Sequence, residues 1–65
     1  MNKIDILRDK YKESKTAQLA LDLLEGRKIV VDNERRRAVI LTLAVRFADV
    51  VGQDVKGIIV VSDDI

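Results

Sequence analysis

The chain has 65 residues, with 12 Lys or Arg against 11 Asp or Glu, and no His, Cys or Pro. That composition excludes disulfides, thiolate or imidazole metal sites and histidine acid–base chemistry, and a net charge of +1 gives no general pull toward nucleic acid. One domain, 1–65, is all the length allows; a domain this small buries only about 60% of its unfolded surface, so association between chains is the reinforcement left to it.

Aromatic residues are 3% of the chain, so the core must be aliphatic, around Tyr11 and Phe47. Residues 1–26 read as helical and 27–65 as mixed strand and helix. Ile4, Leu7 and Tyr11 stand at i, i+3 and i+7, one face of a helix. Asp5/Arg8 and Asp9/Lys12 place opposite charges three apart. Ser14 and Thr16 then offer two N-caps. Ala17, Ala20, Leu21 and Leu24 share the apolar face of the next stretch, Gln18, Asp22 and Glu25 its polar face, and Gly26 stands at the C′ position. At about 100° per residue the first stripe projects onto the Gln18–Asp22–Glu25 side. Two helices with a break near Ser14–Thr16 resolve the conflict; the alternative is one long helix with different neighbours at its two ends.

Ile29-Val30-Val31 and Ile58-Ile59-Val60-Val61 are short β-branched runs without alternation. Continuous apolar strands suit a sheet covered on both faces, parallel or oligomeric. Between them, 33–51 fits two periods. As a helix it gathers Val39, Ile40, Leu43, Phe47, Val50 and Val51 within about 120° of arc, with Arg35, Thr42, Arg46 and Asp49 opposite. Asp32 or Asn33 caps the start, Glu34 suits the positive end of the dipole, and Gly52 suits the left-handed end. As a strand, Val39, Leu41, Leu43, Val45 and Phe47 alternate, and Asp32–Arg35 become a hairpin loop. The two end signals and the polar spacing favour the helix.

The predicted fold is therefore a small α+β domain in the order α-α-β-α-β. A right-handed parallel β-α-β unit lies under the N-terminal helices, and oligomerisation completes the short sheet. The alternative sets N-terminal helices on a three-stranded meander, with 36–47 as the central strand.

Charge is uneven: 1–26 is neutral, 27–37 carries +3 and 38–65 carries −2. Arg27, Lys28, Arg35, Arg36 and Arg37 make the basic segment, a candidate nucleic-acid or anion site. On a helix, three consecutive arginines point about 100° apart, and Asp32, Glu34 and Asp49 are available to pair with them. The run Asp32-Asn33-Glu34-Arg35-Arg36-Arg37-Ala38-Val39-Ile40-Leu41-Thr42 resembles the wing of MarR-family winged-helix repressors. There an Asp-x-Asp/Glu-Arg-Arg loop joins two strands and the second ends in Leu-Thr. The resemblance covers about a sixth of the chain. It implies a dimer whose Arg35 and Arg36 approach the DNA minor groove. Upstream the chain departs from the family, because Thr16–Gly26 leads into no separate recognition helix before Ile29.

No catalytic constellation stands out. Asp5, Asp9 and Glu13 share a helical face, but Lys and Arg interleave them on what should be an exposed row. Ser62-Asp63-Asp64-Ile65 lacks the ligand number and glycine loop of a calcium site and reads as an acidic tail. The start of the chain has no apolar signal core, and the near-apolar run 38–51 is shorter than the ~20 residues of a membrane span. The expectation is a cytoplasmic, non-catalytic protein-interaction module. It needs no cofactor or metal, is a homo-oligomer, and regulates or inhibits a larger protein partner. Its candidate interface is Leu19, Leu23, Leu41 and Val45, which lie off the main helical faces. The alternative is a nucleic-acid-binding module acting through the arginines.

Overall fold

Three polar side chains decide where the helices start. Asn2 Oδ1 accepts from the Asp5 amide at 2.9 Å, Ser14 Oγ from Ala17 at 3.2 Å, and Asn33 Oδ1 from Arg36 at 2.8 Å. Each satisfies an amide that has no partner within its own helix. In the computed structural model, which describes residues 2–62, they open α1 (Lys3–Lys10), α2 (Lys15–Leu24) and α3 (Glu34–Val51). Two strands, β1 (Lys28–Val31) and β2 (Ile58–Val61), pair in parallel and complete a small α+β domain. The acidic run Asp63–Ile65 lies outside the described residues.

The break between α1 and α2 falls over Tyr11–Ser14, and Ser14 rather than Thr16 is the cap. Glycine closes α2 and α3, whereas α1 ends at Tyr11, whose amide bonds to the Leu7 carbonyl at 2.9 Å. After α2, the Gly26 amide bonds to the Leu23 carbonyl at 3.2 Å and the Arg27 amide to that of Asp22 at 3.0 Å. Gly26 has φ +87°, the left-handed geometry of a Schellman turn. After α3, Gly52 has φ +75°, and it and Gln53 both donate to the Ala48 carbonyl.

β1 and β2 run in register from Lys28↔Ile58 to Val31↔Val61, joined by α3 as the crossover. Residues 34–51 are one unbroken helix, so the three-stranded meander does not form. Asp32 and Asn33 lead from β1 into α3 and are not a hairpin loop, so the winged-helix wing is absent as well. The sequence carries both periods across this stretch; caps at both ends decide for the helix, and a helix is the usual crossover between two parallel strands.

The core lies between the helices and one sheet face. Ile4, Ala17, Ala20, Leu21, Leu23, Leu24, Ile29, Val31, Ile40, Ala44, Phe47 and Ala48 form it. α2 and α3 make the most extensive helix–helix contact. Both bury alanines there, which lets the helices approach closely. The buried arc of α3 centres on Ala44. Leu43 is half-buried at its margin and Val51 at the helix end, whereas Val39 and Val50, expected on the core face, are 51% and 61% exposed. Arg35, Thr42, Arg46 and Asp49 are exposed, as their stripe predicts. Tyr11 stacks on Phe47 at 5.5 Å between ring centres and ties the end of α1 to α3.

Leu23 is fully buried and is a core residue of the single chain, not a surface one. Residues 56 and 57 pass directly over it. The Leu23 carbonyl accepts from Gly57 at 2.7 Å and from Lys56 at 3.2 Å. A Cβ on Gly57 would stand 2.2 Å from the Arg27 carbonyl oxygen and 3.0 Å from Leu23 Cα. Gly57 is thus the only residue type that lets β2 enter beside β1 at this distance.

Candidate functional site

Apolar side chains left in water are the most conspicuous surface feature. Alternation along the strands turns Ile29, Val31, Ile59 and Val61 toward the helices and Lys28, Val30, Ile58 and Val60 away from them. Val30 is 61% and Ile58 59% exposed, and register places them with Val60 on one continuous face. Parallel sheets are ordinarily covered on both faces. Here only one is covered by the described residues.

A second apolar surface runs along α3. Val39, Leu43 and Val50 lie on one side of the helix, and with Ala38, Thr42 and Arg46 the first two line a shallow groove. Val45, 55% exposed, lies on the opposite side of the same helix. Of the four sequence-derived interface candidates, Val45 is thus exposed, Leu41 and Leu19 are half-buried, and Leu23 is interior. Leu19 packs against the core and borders the open edge of β1.

The basic residues do not converge. Arg27 and Lys28 stand at the start of β1 and Arg35–Arg37 beyond its end, with the strand residues Ile29–Val31, about 10 Å of strand, between them. In the first turn of α3, Arg37 pairs with Glu34, and Arg36 with Asp32 at 3.6 Å. Arg35 is exposed and has no ion-pair partner among the described residues. Arg27 Nη1 lies 4.0 Å from Asp22 and is largely solvated. The cluster predicted from sequence proximity is therefore two separate groups, in which Arg36 and Arg37 are paired locally and Arg27, Lys28 and Arg35 face solvent.

A polar cluster that sequence spacing does not show joins α1 to α2. Arg8 turns away from Asp5 and donates to Gln18 Oε1 at 3.0 Å, to Asp22 Oδ1 at 2.6 Å and to Glu25. Gln18 Nε2 in turn donates to the carbonyls of Arg8 at 3.1 Å and Tyr11 at 3.0 Å. Partial burial lowers the Arg8 pKa, but hydrogen bonds and attraction from Asp22 and Glu25 outweigh it, and the pKa is raised above the ordinary guanidinium value. Arg8 thus stays charged, and its donors are used within the fold.

Among the described residues no group of three or more acidic or metal-ligating side chains is placed to hold a metal ion, and no helix is long and apolar enough to cross a membrane. Comparison of the chain with protein-family models, curated proteins and solved structures finds no match.

Proposed function

We propose that this chain is a small, non-catalytic protein-interaction module that works in the cytoplasm as a homo-oligomer and regulates or inhibits a larger protein partner. The observation that carries the proposal is the uncovered apolar surface: Val30, Ile58 and Val60 on the sheet, Val39, Val45 and Val50 on α3. A two-stranded sheet is marginal in water and gains stability when further protein covers its face or extends its edges.

In this reading self-association uses the sheet and leaves α3 to the partner, with Val45 and the half-buried Leu41 at the contact. A bait carrying Leu41→Glu and Val45→Glu should lose a protein that the unaltered chain retains, with its helical circular dichroism unchanged. A partner retained equally by both baits overturns the α3 assignment. An unfolded variant places Leu41 in the core and removes it from the contact.

The second reading, nucleic-acid binding, has one observation in its favour: Arg27, Lys28 and Arg35 are exposed. Anisotropy of a labelled DNA duplex, and of a matched RNA, at two salt concentrations separates the readings. Phosphate contacts give saturable binding that weakens with salt and whose slope falls in an Arg35→Ala, Arg36→Ala, Arg37→Ala variant. The interaction module gives no such binding.

A further inference from the structure

We propose that β1 is a self-pairing edge: two copies of the chain join antiparallel, β1 to β1, with Val30 opposite Val30 and Lys28 opposite Asp32 of the second copy. The proposal rests on the homo-oligomeric part of the function above and supplies its interface.

Backbone geometry shows that the edge is available. The carbonyls of Arg27 and Val31 accept from Ile58 and Ser62 of the β2 side. A strand residue points its N–H and C=O to the same side, and successive residues alternate. Lys28 and Val30 therefore aim their backbone groups away from β2, and so does the amide of Asp32, which shares a planar peptide with the Val31 carbonyl; no described strand meets them. In an antiparallel pair centred on Val30, Lys28 and Val30 become hydrogen-bonded positions, and the pairing extends the strand by one residue to Asp32.

Side-chain chemistry fixes direction and register. Lys28-Ile29-Val30-Val31-Asp32 reads basic, three apolar, acidic, a pattern complementary to itself only when reversed. Antiparallel pairing about Val30 brings Lys28 and Asp32 together twice, on the exposed face of the sheet. Parallel pairing in register would set Lys28 against Lys28. A one-residue slip would set inward Val31 beside outward Val30, which the pleat forbids.

The layer above the sheet agrees. α2 covers β1, the outer half of the sheet, and α3 reaches β2. A two-fold axis perpendicular to the sheet keeps all helices on one side and brings the two α2 helices together. Lys15, Leu19, Val30, Val31, Asp32 and Arg36 line a groove along this edge, and half-buried Leu19 is its apolar wall. The product is a four-stranded sheet, β2-β1-β1-β2, that no longer exposes either β1 edge.

Sedimentation velocity over a concentration series tests the proposal, with three charge variants, and two cysteine variants for cross-linking, all checked for helical circular dichroism. The unaltered chain should reach twice the monomer mass. Lys28→Asp and Asp32→Lys should each weaken the dimer about tenfold, because each replaces two attractive cross-strand pairs with two repulsive ones. The double variant should recover most of the affinity, which a mere loss of the Asp32–Arg36 pair would not allow. The chain has no cysteine, so a single Val30→Cys should form an intermolecular disulfide on mild oxidation, while Ile58→Cys on the same face should not. A monomer at every concentration overturns both the homo-oligomer and this edge. A dimer indifferent to the charge variants, or cross-linked through Ile58→Cys and not Val30→Cys, keeps the homo-oligomer and overturns the edge in favour of stacked sheet faces.

Discussion

Arg8 is bound on one side to Asp22 and Glu25 and on the other, through its own carbonyl, to Gln18. It locks α1 onto the polar face of α2, a job its sequence neighbour Asp5 cannot do. Replacing Arg8 with Met removes the donors and leaves two carboxylates facing each other. Urea unfolding should show a loss of about 1–2 kcal/mol, and the difference from the unaltered chain should shrink in about 1 M salt. Leu23 and Gly57 form the second decisive contact. Leu23→Ala should cost about 2–5 kcal/mol in the same measurement, the range for emptying a filled core position. Gly57→Ala should cost about 1–3 kcal/mol, because its Cβ meets backbone that cannot move without shifting β2. A neutral Gly57→Ala would mean that β2 enters by another path.

α3 is apolar on nearly every side, so its sequence leaves the buried arc underdetermined. Its position is set by the two layers it must touch, α2 and the sheet. The arc that meets both carries Ile40, Ala44, Phe47 and Ala48, and small Ala44 and Ala48 fit the close approach to α2 where Val39 and Val50 would not. Denaturation midpoints test this rotation directly. Val50→Lys should change stability by less than about 0.5 kcal/mol, as a solvated substitution does, whereas Ile40→Ala should lose about 2–5 kcal/mol. The reverse pattern would restore Val50 to the core face. The same argument explains the arginines. Three in a row on the first turn of a helix diverge, and Glu34 and Asp32 take up Arg37 and Arg36 locally.

At the scale of the whole molecule, the weakest part among the described residues is the sheet of two strands, with one bare face and two open edges. Among the described residues twelve side chains form the core, and under the self-association proposed above further apolar surface would leave water. If the folded state is coupled to the dimer, the apparent Tm should rise with protein concentration, and the rise should flatten in Lys28→Asp. Differential scanning calorimetry at several concentrations checks this. A concentration-independent Tm would make the monomer the stable unit.

The sequence by itself determined what is local. Ser14 and Asn33 can cap, Gly26 and Gly52 can take the left-handed conformation that ends a helix, and the β-branched runs mark both strands. These signals act over one turn or a few residues, so the neighbours in the chain suffice to read them. The tertiary structure decided everything that depends on what lies across a gap. It chose which arc of α3 is buried and buried Leu23 beneath a segment more than thirty residues away. It turned Arg8 toward Asp22 and Glu25, and it set Arg27 and Lys28 at the opposite end of β1 from Arg35–Arg37. The physical reason is the same each time: burial and ion pairing depend on distances through space, and a short helix-rich chain with aliphatic residues on several faces offers more than one set of them.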